Sequence, residues 1–211
     1  MPASRSIPPE IRTQRLVLRR QHPDDACLVK DAVDTSLVHL QASVAWAQAA
    51  PQPLRELAAQ LAASAAAFDA EDAWTFSILD VGQTRVLGAA ALERAEGALI
   101  ALVGPAAIEV GYWLRADATG HGYATEAAAR LADVAFTRLR ARRVVVCHDP
   151  ANVASEGVPR RLGFRCTGIC ADAALPGRQA ADGSVRPETR IWVLEASARA
   201  SLNAWLDVPT F

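Results

Sequence analysis

The sequence predicts an α/β (α+β) fold in which a mixed, mostly antiparallel sheet carries helices on both faces. Two strand-like segments at 74–79 and 86–92 are separated by a short turn, which is typical of an antiparallel hairpin. A strand-like segment at 108–114, an Ala-rich helical segment at 122–139 and an apolar strand-like segment at 143–148 follow one another. A crossover of this kind makes its two strands parallel neighbours, and helices must then cover both faces of the sheet.

The first third of the chain predicts one strand and three helices. In order, these are a strand at 15–20, a helix from 22 to about 34, a helix from about 36, and a helix at 54–68. The strand alternates polar and apolar residues, and the first helix begins with a proline and two acidic residues, which favour a helix start. Pro51 and Pro53 separate the second helix from the third.

The last third of the chain predicts two more strands and two more helices. The expected elements are a helix at 152–162, a strand at 164–174, a loop at 175–187, a strand at 189–194 and a helical tail at 197–208. The segment 97–105 is apolar but contains Gly104 and Pro105, which predicts a loop. No internal repeat is present, so we expect a single domain at 1–211 with its core at about 11–195.

The composition is that of an ordinary globular protein. Hydrophobic residues make up 51% of the 211 residues, charged residues make up 21%, and the formal net charge is −1. This charge provides no attraction for nucleic acid or for an anionic membrane. Residues 1–10 lack the apolar core of a signal peptide, and no apolar run is long enough to span a bilayer, so a cytoplasmic location is expected. The four cysteines form no CxxC pair, and no metal site is predicted.

The loop before the Ala-rich helix is the most informative part of the sequence. It begins at Thr119, and Gly120, Gly122 and Ala124 place little side-chain bulk around the start of the helix. The free N–H groups of a helix N-terminus attract anions, and small residues leave those groups accessible. The loop therefore predicts a site for a phosphate-bearing ligand. It is not a P-loop, because no lysine is near, and Thr125 stands where a dinucleotide-binding fingerprint needs a third small residue.

This loop is one of several motifs that occur in a fixed order along the chain. They are TQRL at 13–16, SLVHL at 36–40 with Trp46, EVGYWL at 109–114, TGHGYATEA at 119–127, NVASEGVPRRLGF at 152–164 and LPG at 175–177. Together they resemble the GNAT N-acetyltransferases, and are most similar to the RimJ/RimL-like branch. The resemblance spans about residues 11–195. It implies the GNAT fold, in which the parallel strands at 108–114 and 143–148 splay apart, and it implies acetyl-CoA as the acetyl donor.

The resemblance also implies which residues bind the donor. In this family the loop at the helix start holds the pyrophosphate of acetyl-CoA, and backbone N–H groups around Trp113 and Leu114 hold the thioester carbonyl where the strands splay. The cofactor-binding residues that it implies are Trp113, Leu114, Thr119, Gly120, His121, Gly122, Tyr123, Ala124, Thr125, Asn152 and Ser155.

Three polar residues are the candidates for the chemistry. Glu109 is the only carboxylate within its strand, and the resemblance makes it the general base, acting directly or through a water. Asn152 and Ser155 lie three residues apart and face the same side at the start of their helix. The resemblance places Asn152 at the cofactor arm and Ser155 near the thiol. Purely structural interpretations stay open, in which Asn152 is an N-cap and Glu109 a solvated carboxylate.

One position departs from the family pattern. Many members carry a tyrosine as the general acid where Pro159 stands in this chain. Ser155 or water must therefore protonate the leaving thiolate. Proline has no N–H, so the carbonyl group of Ser155 is also left without its helical donor. Tyr112 and Tyr123 flank the glycine-containing loop, and we assign neither of them a role in proton transfer.

The resemblance places His39 and Trp46, together with the loop after residue 174, in the wall of the acceptor pocket. The expected activity is transfer of an acetyl group from acetyl-CoA to a primary amine, at a protein N-terminus or on a small molecule, by direct attack in a ternary complex. Two alternatives remain open at this point: a catalytically silent acyl-CoA-binding sensor or regulatory module of the same fold, and a nucleotide-dependent transferase. The sequence leaves the acceptor unidentified, and a homodimer is suggested by the resemblance alone.

Overall fold

The structure, a computed structural model, describes residues 6–170 and 188–206. Within these residues, eight strands form one sheet: β1 (Glu10–Arg12), β2 (Leu16–Arg20), β3 (Ala73–Asp80), β4 (Val86–Arg94), β5 (Ala107–Leu114), β6 (Arg143–His148), β7 (Arg165–Cys170) and β8 (Thr189–Glu195). The α-helices are α1 (Ala26–Asp34), α2 (Leu37–Gln41), α3 (Leu54–Asp69), α4 (Gly97–Val103), α5 (Tyr123–Thr137), α6 (Val153–Arg161) and α7 (Asn203–Leu206). In this part of the chain, no helix has the length and apolar character that crossing a membrane requires.

The strands lie in the order β1-β2-β3-β4-β5-β6-β8-β7 across the sheet. All neighbouring strands are antiparallel except β5 and β6, which are parallel and are joined by α5. The mixed, mostly antiparallel sheet that the hairpin and the crossover predict is therefore confirmed. The hairpin is formed by β3 and β4, and the crossover by β5, α5 and β6.

Helices pack on both faces of this sheet, as predicted. Leu16 and Leu18 of β2 belong to a buried cluster that contains much of α5, whereas Val17 between them belongs to a cluster with residues of α1 and α3. Successive residues of a strand point to opposite faces, so α5 lies on one face and α1 with α3 on the other. Most of α5 is buried, because its alanines allow the helix to lie close to the sheet.

The segment predicted as a loop at 97–105 is instead helical, and it forms α4. Leu99 and Val103 are buried together with apolar residues of β6 and β8, which stabilises this short helix. Gly104 has a φ of 84° and follows the last helical residue. The prediction was wrong because this glycine ends the helix rather than interrupting it.

Two smaller differences concern the first third of the chain. The sequence pattern does not predict β1, because a three-residue strand is too short to show alternation. The predicted second helix is reduced to the five residues of α2, and Trp46 lies in a separate 3₁₀ segment, Ala45–Ala49. The predicted loop at 175–187 and the end of the strand at 164–174 lie outside the described residues.

β5 and β6 are paired over only a short part of their length. The paired residues are Ala107 with Arg143, Ile108 with Val144, and Glu109 with Val145. β5 then continues to Leu114 and β6 to His148 without further pairing between them in the described sheet. The splay that the family resemblance implies is therefore present, and it opens a gap where both strands end.

His148 at the end of β6 is buried, and both of its ring nitrogens are engaged. The indole N–H of Trp192 donates to Nε2 at 3.0 Å, and Nδ1 lies 2.7 Å from the carbonyl oxygen of Asp149. Because Nε2 accepts a hydrogen bond, Nδ1 carries the proton and donates, and the ring is neutral. Burial lowers the pKa of His148 below its ordinary value of 6.5, against the opposing effects of Asp149 and Glu156.

This burial predicts a loss of stability in mild acid. Below pH 6.5 the unfolded chain takes up a proton at residue 148 that the folded chain resists, so the free energy of unfolding falls as the pH drops toward the lowered pKa. Urea titrations between pH 7.5 and 5.5 should show a weaker pH dependence for His148→Gln than for the unmodified chain. The exposed His39 provides the matched control, His39→Gln, which should keep the original dependence. An equal pH dependence of the free energy of unfolding in all three proteins would contradict the attribution of this effect to His148.

Candidate active site

A groove opens where β5 and β6 separate. Its volume is about 600 Å³, and its walls come from β5, the loop before α5, the end of β6 and the start of α6. All residues predicted to bind the cofactor line this groove: Trp113, Leu114, Thr119, Gly120, His121, Gly122, Tyr123, Ala124, Thr125, Asn152 and Ser155. The fold thus brings together two motifs that are about 30 residues apart in the sequence.

The edge of β5 offers two main-chain donors to this groove. The N–H of Arg115 donates to the carbonyl oxygen of Leu87 at 2.9 Å and so faces β4. Main-chain groups alternate in direction along a strand, so the N–H groups of Tyr112 and Leu114 face the β6 side. The ladder with β6 ends before them in the described part of the sheet. These two amides can therefore hold a carbonyl oxygen in the gap, whereas the N–H of Trp113 faces β4.

The loop before α5 has the geometry of an anion site. Gly120 and Gly122 have φ values of 79° and 80°, a left-handed conformation that glycine adopts without strain. Gly122 is the N-cap of α5, and as glycine it has no side chain with which to cap the helix. A Cβ atom placed on Gly120 would meet no described atom within 4 Å, so the space beside it is open. The first amides of α5 and the positive end of its dipole are available to a ligand there.

A buried carboxylate fixes this loop to the start of the sheet. Glu126, in the first turn of α5, is 4% exposed and accepts hydrogen bonds from the Thr13 hydroxyl at 2.6 Å, from the Arg15 main chain at 2.9 Å and from Arg15 Nε at 2.7 Å. Arg15 also donates to the carbonyl oxygen of His121 at 2.9 Å, and its guanidinium lies 4.9 Å from the centre of the Tyr123 ring. The TQRL motif therefore holds the glycine-containing loop in place. The sequence does not predict this role of the motif, because the partner of Arg15, Glu126, lies 111 positions away.

Arg115 anchors the same loop on its other side. This arginine is 4% exposed. Its guanidinium lies 2.9 Å from the Asp31 carboxylate, donates to the Thr35 hydroxyl at 3.1 Å, and donates to the Asp117 carboxylate at 2.8 Å. Asp31 is in the last turn of α1 and Thr35 is its C-cap, so the end of β5 is joined to α1. Charged groups thus fix both ends of the segment that leads into α5.

Ser155 lies at the start of α6, where it meets Tyr112. The Tyr112 hydroxyl donates to the Ser155 carbonyl oxygen at 3.1 Å and lies 3.3 Å from Ser155 Oγ. Pro159 has no N–H to donate to that carbonyl, so the tyrosine replaces the missing helical donor. Burial raises the pKa of Tyr112 well above its ordinary value of 10.0, so the phenol stays protonated. The sequence assigns Tyr112 no role, because its position among apolar strand residues gives no signal of this contact.

Asn152 is the N-cap of α6. Its Oδ1 accepts the main-chain N–H of Ser155 at 3.0 Å, which confirms the structural interpretation of this residue. The side chain also lines the groove. Because its oxygen is used by the helix, a contact with a ligand would use the amide nitrogen. The structural and the ligand-binding roles are compatible.

The remaining predicted residues are distributed around β5. His39 on α2 is exposed and lines the groove. Trp46 packs edge-on against Trp113, with ring centroids 5.5 Å apart, but it is not among the described residues that line the groove. Glu109 is half-buried, lies outside the groove lining, and shares a face of β5 with Gly111 and Trp113. A base at this position would act on the face of β5 opposite to α5. Within residues 6–170 and 188–206, no cluster of acidic, histidine or cysteine side chains is arranged to hold a metal ion.

Solved structures similar to this chain share its fold. One is the microcin C7 self immunity acetyltransferase MccE in complex with acetyl-CoA and AMP, at a TM-score of 0.74 and 19% identity, covering 90% of this chain and 97% of that one. Another is RimL, the ribosomal L7/L12 alpha-N-protein acetyltransferase in complex with coenzyme A. It has a TM-score of 0.74 and 20% identity, covering 90% of this chain and 99% of that one. A third is the ribosomal-protein-S5-alanine acetyltransferase from Vibrio fischeri. It has a TM-score of 0.70 and 16% identity, covering 89% of this chain and 96% of that one.

Sequence comparison agrees with this likeness. YdaF of Bacillus subtilis (strain 168), named as a putative ribosomal N-acetyltransferase, is 39% identical over 56 residues. That match spans 26% of this chain and 31% of YdaF, so the chain covers about a third of this relative's length. A family model described as the acetyltransferase (GNAT) domain matches residues 15–165, which is well over half of the chain. The chain therefore belongs to the GNAT acetyltransferase family, as the resemblance to the RimJ/RimL-like branch implies.

Proposed function

We propose that this chain transfers an acetyl group from acetyl-CoA to the α-amino group of a peptide or protein, by direct attack in a ternary complex. The observation that carries the proposal is the groove, where the open start of α5, the free edge of β5 and the Ser155 hydroxyl converge. The protein acceptor is supported by the names of RimL and YdaF, which refer to ribosomal substrates. A small-molecule amine is the alternative acceptor.

The residues of the groove fit a coenzyme A donor. The uncapped start of α5, with open space beside Gly120, suits a diphosphate. His121 and Arg161 also line the groove and add polar and cationic groups there. The gap between β5 and β6 suits an extended arm that passes along the strand edge, with the amides of Tyr112 and Leu114 as its donors. When bound, acetyl-CoA supplies an acetyl group that is activated as a thioester.

The chain's own residues would then promote the attack of the amine. Glu109 accepts a proton from the ammonium group, directly or through a water, and so releases the nucleophilic lone pair. The amides of Tyr112 and Leu114 donate to the carbonyl oxygen, where negative charge develops as the new C–N bond forms. These donors are fixed by the sheet, so they need no rearrangement during the reaction.

Ser155 would donate a proton to the sulfur atom as the C–S bond breaks, and its hydroxyl would be restored by the second proton that the attacking nitrogen loses, directly or through a water. Its hydroxyl lies 3.3 Å from the Tyr112 hydroxyl, which is held protonated by burial. Tyr112 is therefore a positioning residue, since it orients Ser155 through both the carbonyl and the hydroxyl of that residue. This arrangement takes the place of the tyrosine acid that many family members carry where Pro159 stands here.

The anion site is tested by adding a side chain at Gly120. Asparagine tolerates a positive φ better than other residues, so Gly120→Asn adds bulk with little backbone strain. We expect this variant to bind coenzyme A at least about 10-fold more weakly in calorimetric titrations, because the added group covers the helix amides. Gly97→Asn is the matched control, since Gly97 also has a positive φ and open space but lies on α4. Absence of coenzyme A binding to the unmodified chain at millimolar concentration would exclude the proposed function.

The general base is tested by Glu109→Gln. Turnover at neutral pH should fall by about 100-fold, while the affinity for coenzyme A stays unchanged, because the amide cannot accept the proton. Glu93 on β4 is directly opposite Glu109 in the ladder, so Glu93→Gln removes a neighbouring carboxylate as a control. A greater loss of turnover in the control than in Glu109→Gln would show that the base has been assigned to the wrong strand. A protein that binds coenzyme A but acetylates no amine before mutation would instead be a silent binding module.

The role of Tyr112 is tested by non-additivity. Ser155→Ala should lower kcat by about 10- to 100-fold, and Tyr112→Phe should lower it less, with little change in the KM for acetyl-CoA. If Tyr112 acts through Ser155, adding Tyr112→Phe to Ser155→Ala has no further effect on kcat. Independent, multiplying losses in the double variant would contradict the positioning role.

A further inference from the structure

We infer that the acceptor enters over Gly111 and that a small pocket behind Trp113 selects an uncharged, apolar first side chain, of the size of Met, Leu or Phe. This inference rests on the proposed function, because it names the class of peptide that the same site would accept. Three observations carry it: an unexplained glycine in β5, a pocket that shares a wall with the groove, and the neutral charge of that pocket.

Nothing in the described part of the chain requires glycine at position 111. It lies inside β5, where glycine weakens a strand, yet its φ is ordinary and a Cβ atom there would meet no described atom within 4 Å. Every other described glycine either has a positive φ or would bring a Cβ within 3.4 Å of another atom. A strand glycine that forms no bulge or bend often marks a place where a ligand or another backbone comes close. Gly111 lies between Glu109 and Trp113 on the same face, so the open space adjoins the candidate base.

A pocket of about 150 Å³ lies on the far side of Trp113. Trp113 lines both this pocket and the groove, and Trp46 packs against it edge-on. Strand residues two apart are separated by about 6.6 Å, so the pocket wall is one side-chain length from the space over Gly111. An amine held between Glu109 and Gly111 can therefore place the substituent of its α-carbon in this pocket.

The pocket walls favour an uncharged group. Its apolar side is formed by Val29, Val33, Trp46, Leu57, Leu61 and Trp113. The charged residues at its wall are Lys30 and Asp34, and they neutralise each other at 2.8 Å. Lys30 also donates to the carbonyl oxygen of Gln52 at 2.9 Å. A charged substituent would lose its hydration without gaining an unpaired counter-charge among the described residues.

The volume limits the substituent to about one large side chain. A cavity of 150 Å³ is large enough for a benzene ring, and an apolar group of that size gains most from leaving water. A methionine, leucine or phenylalanine side chain meets this condition. Serine fills the pocket poorly, and aspartate and arginine bring an uncompensated charge into it.

The test compares peptides that differ only in their first residue, which is Met, Leu, Phe, Ser, Asp or Arg. At saturating acetyl-CoA, kcat/KM for α-acetylation should be at least about 10-fold higher for Met, Leu and Phe than for Asp and Arg. Equal rates across the series would overturn this inference and leave the proposed function intact. Coenzyme A binding without acetylation of any peptide would overturn both.

Two variants test the pocket and the entry separately. Gln60 is exposed on α3 and lines the pocket, so Gln60→Glu should raise kcat/KM for the Arg peptide relative to the Leu peptide by about 5-fold or more. Ala59→Glu adds the same charge on the exposed side of α3, outside the pocket lining, and should leave the ratio unchanged. Gly111→Val should lower kcat/KM for every peptide while coenzyme A still binds with its original affinity. Wild-type kcat/KM values in Gly111→Val would show that the acceptor enters elsewhere.

Discussion

The hydrogen bonding between β5 and β6 is the constraint on which the site depends. Two parallel strands that stay paired to their ends would leave no gap, and the amides of Tyr112 and Leu114 would be used within the sheet. Here the ladder ends at Glu109 in the described sheet, so the sheet keeps its core while the N–H groups of Tyr112 and Leu114 lie beyond the paired residues. Because β5 leads directly into α5, the start of that helix lies at the same end of the strands. The gap, the strand donors and the helix dipole therefore occur together as a consequence of one βαβ connection.

The glycine loop between these elements would be conformationally free without its anchors. Gly120 and Gly122 give it the left-handed turns that expose the helix amides, and glycine also has the greatest freedom in the unfolded chain. Two charge networks restrict this freedom, with Glu126 and Arg15 on one side and Arg115 on the other. The carboxylate of Glu126 is buried but accepts several hydrogen bonds, so its desolvation is compensated. A binding loop that is ordered in advance loses less entropy when a ligand arrives.

The sequence was sufficient for most of the fold because the elements that form it are locally coded. The hairpin and the crossover follow from short sequence patterns, and the structure confirms both. That the carbonyl of Ser155 lacks its helical donor also follows from the sequence, because proline at position 159 has no N–H. Errors occurred where the deciding contacts are distant in the sequence, as in α4, where Gly104 ends the helix and burial against β6 and β8 stabilises it. The candidate site follows the same rule. The groove residues, Tyr112 included, lie in recognisable motifs, but the contacts of Tyr112 and Arg15 are with partners 43 and 111 positions away, which no local pattern contains.

The bond between Arg15 and Glu126 has a consequence for how this protein is made. The first strands of the sheet leave the ribosome before α5 does, yet the glycine loop takes its shape from both. The loop can therefore take this conformation only after residue 15 and α5 have come together.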